Sequence, residues 1–84
     1  MIKKTVKIQL DSGLDVVAML VQIANQYDSD IYLQDEKHKF NAKSIMGMMT
    51  LSTIVSDEIE VVAEGDDAEK AVSHIERYLQ CGAN

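Results

Sequence analysis

Between Thr5 and Leu10 apolar and polar residues alternate, with Val6, Ile8 and Leu10 on one face and Lys7 and Gln9 on the other. That period of two is the pattern of a half-buried strand. Asp11-Ser12-Gly13 reads as a turn. From Asp15 to Tyr27 the period changes: Val16, Val17, Leu20, Val21, Ala24 and Tyr27 fall on one stripe and Gln22, Asn25 and Gln26 largely off it, which predicts an amphipathic helix ended by Asp28-Ser29-Asp30. Two short strands follow, Asp30 to Gln34 with Ile31 and Leu33 inward, and Lys39 to Ala42 with Phe40 and Ala42 inward. Asp35-Glu36-Lys37-His38 joins them, without the Asn-Gly that most strongly signals a hairpin.

A short helix is expected from Ser44 to about Ser52, on the apolar residues Ile45, Met46, Met48, Met49 and Leu51. Glu58 to Glu64 alternates again, Ile59, Val61 and Ala63 inward against Glu60, Val62 and Glu64 outward. Gly65-Asp66-Asp67 is a turn, and Asp66 with Glu69 resembles a capping pair. Ala68, Ala71, Val72, Ile75, Tyr78 and Leu79 form the stripe of a last helix that stops before Gly82. The order is β-α-β-β-α-β-α. One four-stranded antiparallel sheet with three helices on one face and an open polar face accommodates every stripe.

Composition narrows the classes of function. The 84 residues, 46% hydrophobic and 26% charged, suit one small globular domain over residues 1–84. No apolar run approaches the length of a membrane span, and no charged-then-apolar leader is present. The single cysteine, Cys81, has no partner for an internal disulfide, which suits a reducing cytoplasm. A formal charge of −6 argues against direct contact with nucleic acid. Seven acids and no base lie between Asp57 and Glu69, a solvated run, and Arg77 is the only arginine. His38, in the hairpin turn, and His74, off the last helix's stripe, read as solvated surface residues. Neither has metal-ligand spacing to other side chains, so no metal or cofactor is expected. There are no paired catalytic carboxylates, no nucleophile–base pair and no phosphate loop, so no self-contained enzyme is expected.

Candidate chemistry concentrates between Asn41 and Leu51. Ser44 stands just ahead of an apolar run, the setting of an N-cap whose hydroxyl accepts a bond from an orphaned backbone N–H. A phosphate there would meet a region that already favours anions. Gly47 puts no side chain beside that hydroxyl. Ile45, Met46, Met48 and Met49 cannot all face inward on two helical turns, so part of this sulfur-rich patch is expected at the surface, where flexible methionines adapt to partners. Two readings of Ser44 stay open, a cap alone and a phosphorylation switch.

Lys43-Ser44-Ile45-Met46-Gly47 resembles the regulatory-serine motif of the HPr family, the small phosphocarriers of the bacterial phosphoenolpyruvate-dependent sugar phosphotransferase system. The likeness extends through Asp11-Ser12-Gly13, Leu20-Val21-Gln22, Tyr27-Asp28-Ser29-Asp30 and the strand-then-helix layout from Glu58 to Gln80. It implies the HPr-like open-faced β-sandwich and a cytoplasmic protein. It also implies docking through Lys43, Ile45, Met46, Gly47, Met48 and Met49 to an HPr kinase/phosphorylase, to Enzyme I, to sugar-specific components or to a LacI-type repressor.

One departure matters. Where the family carries Gly-(Ile/Leu)-His-Ala-Arg-Pro, this chain has Gly13-Leu14-Asp15-Val16-Val17-Ala18. The phosphoryl-accepting histidine, its arginine and the proline are all absent from this degenerate loop, whereas the family's non-carrier members that keep the serine lack the histidine but retain the rest of the loop. Asp15 reads as an N-cap; acceptance of a phosphoryl group by its carboxylate is the alternative. The expectation is a regulatory or accessory protein controlled at Ser44, against a carrier with an unconventional acceptor or a scaffold domain.

Overall fold

The computed structural model describes residues 1–7, 14–49 and 58–81. Strands β1 (Ile2–Lys7), β2 (Asp30–Gln34), β3 (Lys39–Asn41) and β4 (Glu58–Glu64) and helices α1 (Leu14–Ala24), α2 (Ile45–Met49) and α3 (Ala68–Cys81) follow in the order β-α-β-β-α-β-α. The strands form one antiparallel sheet in the order β1-β4-β2-β3. Val6, Ile31, Leu33, Phe40, Ile59, Val61 and Ala63 line its helix-covered face. Val17, Leu20, Ile23 and Ala24 of α1, Met48 of α2, and Ala68, Ala71, Val72, Ile75 and Leu79 of α3 close over them. The expected α+β open-faced sandwich is the observed architecture.

Four local differences from the sequence pattern have physical causes. First, β1 begins at Ile2 rather than Thr5, because the seven-residue β4 offers it a partner as far as Ala63. An edge strand tolerates the lysines that interrupt the alternation. Lys4 even points to the helix side, where its ammonium donates to Glu76 Oε1 of α3 at 2.9 Å. Ile8 to Leu10 of the expected strand lie outside the described residues, as do the 11–13 turn and Thr50 to Ser52 of the expected short helix.

Second, α1 ends at Ala24, not Tyr27, because its last turn tightens: Gln26 N–H and Tyr27 N–H donate to the carbonyls three residues back, Ile23 and Ala24. Its buried face also includes Ile23, because α1 packs against both α2 and α3 and a wider arc is covered. Third, α1 begins at Leu14, which puts Asp15 inside the first turn rather than at the cap. Fourth, Val62 faces away from the helices yet is only 7% exposed. Lys3 and Tyr32 stand directly across from it on the neighbouring strands, and the Lys39 ammonium lies 4.4 Å from the Tyr32 ring centroid, completing the cover.

The β2–β3 hairpin closes without Asn-Gly because Asp35 supplies the turn itself. Its Oδ1 accepts from Lys37 N–H at 2.8 Å and His38 N–H at 2.7 Å, and Asp35 N–H donates to the His38 carbonyl at 2.9 Å. These donors, Lys37 N–H foremost, hold the Asp35 carboxyl below its ordinary value. The exposed His38 ring stacks on Phe40, centroids 5.8 Å apart.

A second junction ties the turn before β2 to the turn after its neighbour β4. Asp67, not Asp66, is the residue immediately ahead of α3, and its carboxylate turns away from its own helix. It accepts from Asp28 N–H at 2.9 Å, from Ser29 N–H at 3.0 Å and from the buried Ser29 hydroxyl. The Ser29 hydroxyl and then the Asp28 amide hold the Asp67 carboxyl below its ordinary value of 3.8. Because the folded-state value is depressed, this stabilisation is present above the unfolded value and is lost as the pH falls through the folded one. Urea midpoints measured between about pH 6 and about pH 2.5 are therefore expected to fall less steeply for Asp67→Asn than for the unmodified chain, and parallel curves would exclude this junction as an acid-sensitive one.

Candidate functional site

The strand β3 delivers the chain to Ser44 through a short, heavily bonded turn. Asn41 organises it: its Oδ1 accepts from Lys43 N–H at 2.9 Å and its carbonyl from Ser44 N–H at 3.0 Å. Asn25, just past α1, donates from Nδ2 to the carbonyls of Val21 (2.8 Å) and Lys43 (3.3 Å). The Lys43 ammonium donates to the Tyr27 carbonyl at 2.7 Å. The residues ahead of Ser44 are thus strapped to the end of α1 by side chains that periodicity alone does not single out.

Ser44 is the cap of α2. Its Oγ accepts from Gly47 N–H at 3.2 Å and its carbonyl from Met48 N–H at 2.9 Å. A Cβ built on Gly47 would lie 3.5 Å from the Ser44 hydroxyl, an ordinary contact. The glycine is therefore not demanded by close packing; its effect is to leave the Ser44 hydroxyl uncovered on that side.

The helix that follows divides its residues sharply. Ile45 is 47% exposed, Met46 79% and Met49 49%. Met48 is fully buried, which corrects its place in the expected docking surface. At about 100° per residue, Ile45, Met49 and Met46 share the outer arc, and Met48 falls beyond the Ile45 edge of it, turned into the core. Lys43 is half-buried with its ammonium committed to Tyr27, so it braces the site. Met19 of α1 is a further exposed apolar side chain that the helical pattern did not mark.

Of the degenerate loop, Gly13 lies outside the described residues, while Leu14 and Asp15 open α1. His38 is exposed, as expected. His74 is a correction: it is half-buried, with Nδ1 2.7 Å from the Tyr27 hydroxyl and the two rings edge to face. A tyrosine from a distant turn supplies its partner, which no local spacing could reveal. Among the described residues, no helix is long and apolar enough to cross a membrane.

An open-faced four-stranded antiparallel sheet with three helices on one face defines the class: a small α+β sandwich. Comparison with known proteins places it further. Residues 2–80 match the family model PTS-HPr, described as the PTS HPr component phosphorylation site. The chain is 37% identical over 82 residues to the HPr-like protein Crh of Bacillus subtilis (strain 168), covering 95% of this chain and 96% of the relative. It is 40% identical over 82 residues to the phosphocarrier protein HPr of Treponema pallidum (strain Nichols), covering 95% and 93%. The crystal structure of HPr-C-His from Thermoanaerobacter tengcongensis superposes with a TM-score of 0.85 at 33% identity, covering 100% of this chain and 99% of that one. This chain belongs to the PTS-HPr family.

Proposed function

We propose that this chain is a non-carrier HPr relative, a regulatory or accessory protein of the sugar phosphotransferase system controlled by phosphorylation of Ser44. The observation that carries the reading is the juxtaposition of an accessible capping hydroxyl with the exposed Ile45, Met46 and Met49. A phosphate on Ser44 would add roughly −1.5 to −2 charge at the rim of that apolar patch and change what docks on it. The absence of His, Arg and Pro from Gly13 to Ala18 supports the loss of the carrier step. Similarity to the HPr-like protein Crh supports the same class.

On this reading residues 1–84 act as one HPr-like domain in the cytoplasm. An HPr kinase/phosphorylase acts on Ser44; Enzyme I, sugar-specific components or a LacI-type repressor meet the patch. Intact-mass analysis after two incubations tests it, one with ATP and an HPr kinase, the other with phosphoenolpyruvate and Enzyme I. A single phosphate from ATP alone, absent in Ser44→Ala, is expected. Ser44→Ala should also lose about 1 kcal/mol of stability as a missing cap. Label from phosphoenolpyruvate would instead favour a carrier with an unconventional acceptor. No label from either donor would leave a scaffold domain whose serine is only a cap.

A further inference from the structure

The α3 helix has a polar stripe unrelated to Ser44. Lys70, Ser73, His74 and Arg77 recur at steps of three and four and so share one face. With Glu69 and Tyr27 they line an open groove of about 550 Å³. Its two fixed cations are uncommitted: among the described residues neither Lys70 nor Arg77 has an ion-pair partner, whereas Glu76 on the same helix is paired with Lys4. Tyr27 fixes the imidazole from the other wall. Its carbonyl is held by Lys43 and its hydroxyl meets His74 Nδ1, which leaves Nε2 as the remaining polar atom of the ring.

The local charge opposes that of the whole chain. The protein carries −6 overall, yet this groove gathers Lys70, the chain's only arginine and a histidine against the single carboxylate of Glu69. Guanidinium offers a planar fork matched to phosphate oxygens, and a pre-oriented ring loses little freedom on binding. Ser73 and Glu69 add a hydroxyl and a carboxylate acceptor suited to ligand hydroxyls.

We propose that the groove between α3 and the Tyr27 turn binds a small hydroxylated phosphate monoester, its phosphate on Lys70, His74 and Arg77 and its hydroxyls on Ser73 and Glu69. The site is independent of Ser44 phosphorylation and stands or falls separately from it.

Titration of the whole ¹⁵N-labelled chain with glycerol 3-phosphate tests this, with inorganic phosphate, glycerol and sodium chloride at matched ionic strength as companions. Saturable amide shifts in the millimolar range are expected at Tyr27 and from Lys70 to Arg77. Inorganic phosphate should bind the same residues more weakly, and glycerol should not saturate. Lys70→Gln and Arg77→Gln, both at exposed positions, are each expected to weaken binding roughly tenfold while the remaining spectrum is retained. Shifts reproduced by sodium chloride, saturation centred on Lys3 and Lys7 of β1, or unchanged affinity in Arg77→Gln would overturn the site. Equal affinity for inorganic phosphate would overturn the role given to Ser73 and Glu69.

Discussion

Gly65→Ala is expected to destabilise the protein by about 3 kcal/mol, lowering the thermal midpoint by roughly 10–20 °C. Gly65 has φ +150°, a region that side-chain-bearing residues rarely adopt. Space is lacking as well as conformational freedom. A Cβ there would lie 2.7 Å from Ser29 Cα and 2.9 Å from Ser29 Cβ. Ser29 cannot retreat cheaply, since it is buried and its amide and hydroxyl are both held by Asp67. Relief would separate the α1–β2 turn from the start of α3. Asp66→Ala, one residue away and exposed, is the matched control and should change stability by no more than about 0.5 kcal/mol. Thermal melts of the two variants suffice, and a Gly65→Ala melt matching that of the unmodified chain would show that the junction yields without cost. Because Gly65 and Asp67 act through the same serine, Gly65→Ala combined with Asp67→Asn should cost less than the sum of the two.

The second large effect is a contrast within one turn of α2. Met48→Ala empties a fully buried site in the core and is expected to cost about 2–4 kcal/mol. Met46→Ala, at 79% exposure, should leave stability within about 0.5 kcal/mol. The order reverses for docking. If the exposed patch is the contact surface proposed above, Met46→Ala should slow phosphorylation of Ser44 by an HPr kinase roughly tenfold, as truncation of an interface anchor does. Urea denaturation and initial phosphorylation rates, measured at a temperature where both variants are folded, separate the two roles. Equal kinetics for Met46→Ala and the unmodified chain would remove the patch from the docking reading while leaving the stability contrast intact.

The two methionines also show how far periodicity reaches. That the Ile45–Met49 segment could not bury every apolar side chain was legible from its length. Which methionine went inward was not, because the choice depends on where α1 and β3 set the short helix. The same holds for His74. Its place off the α3 stripe was legible, but its partnership with Tyr27 joins residues 47 positions apart. Ser44 as a cap could be read locally, since a cap is a contact between neighbours in sequence. The strapping of Lys43 to Tyr27 could not.

By itself the sequence determined the order and kind of the elements, the inward face of each described strand, the capping serine and the likeness to the HPr family. These follow from alternation, from helical stripes and from short motifs, all of which act over a few residues. Tertiary structure alone decided the burial of Val62 under Lys3 and Tyr32, the inward turn of Lys4 to Glu76, the choice of Asp67 over Asp66 and the groove along α3. Each depends on which strand or turn lies alongside. A charged or polar side chain takes its role from the partner that the fold brings to it, and that partner lies far away in the chain.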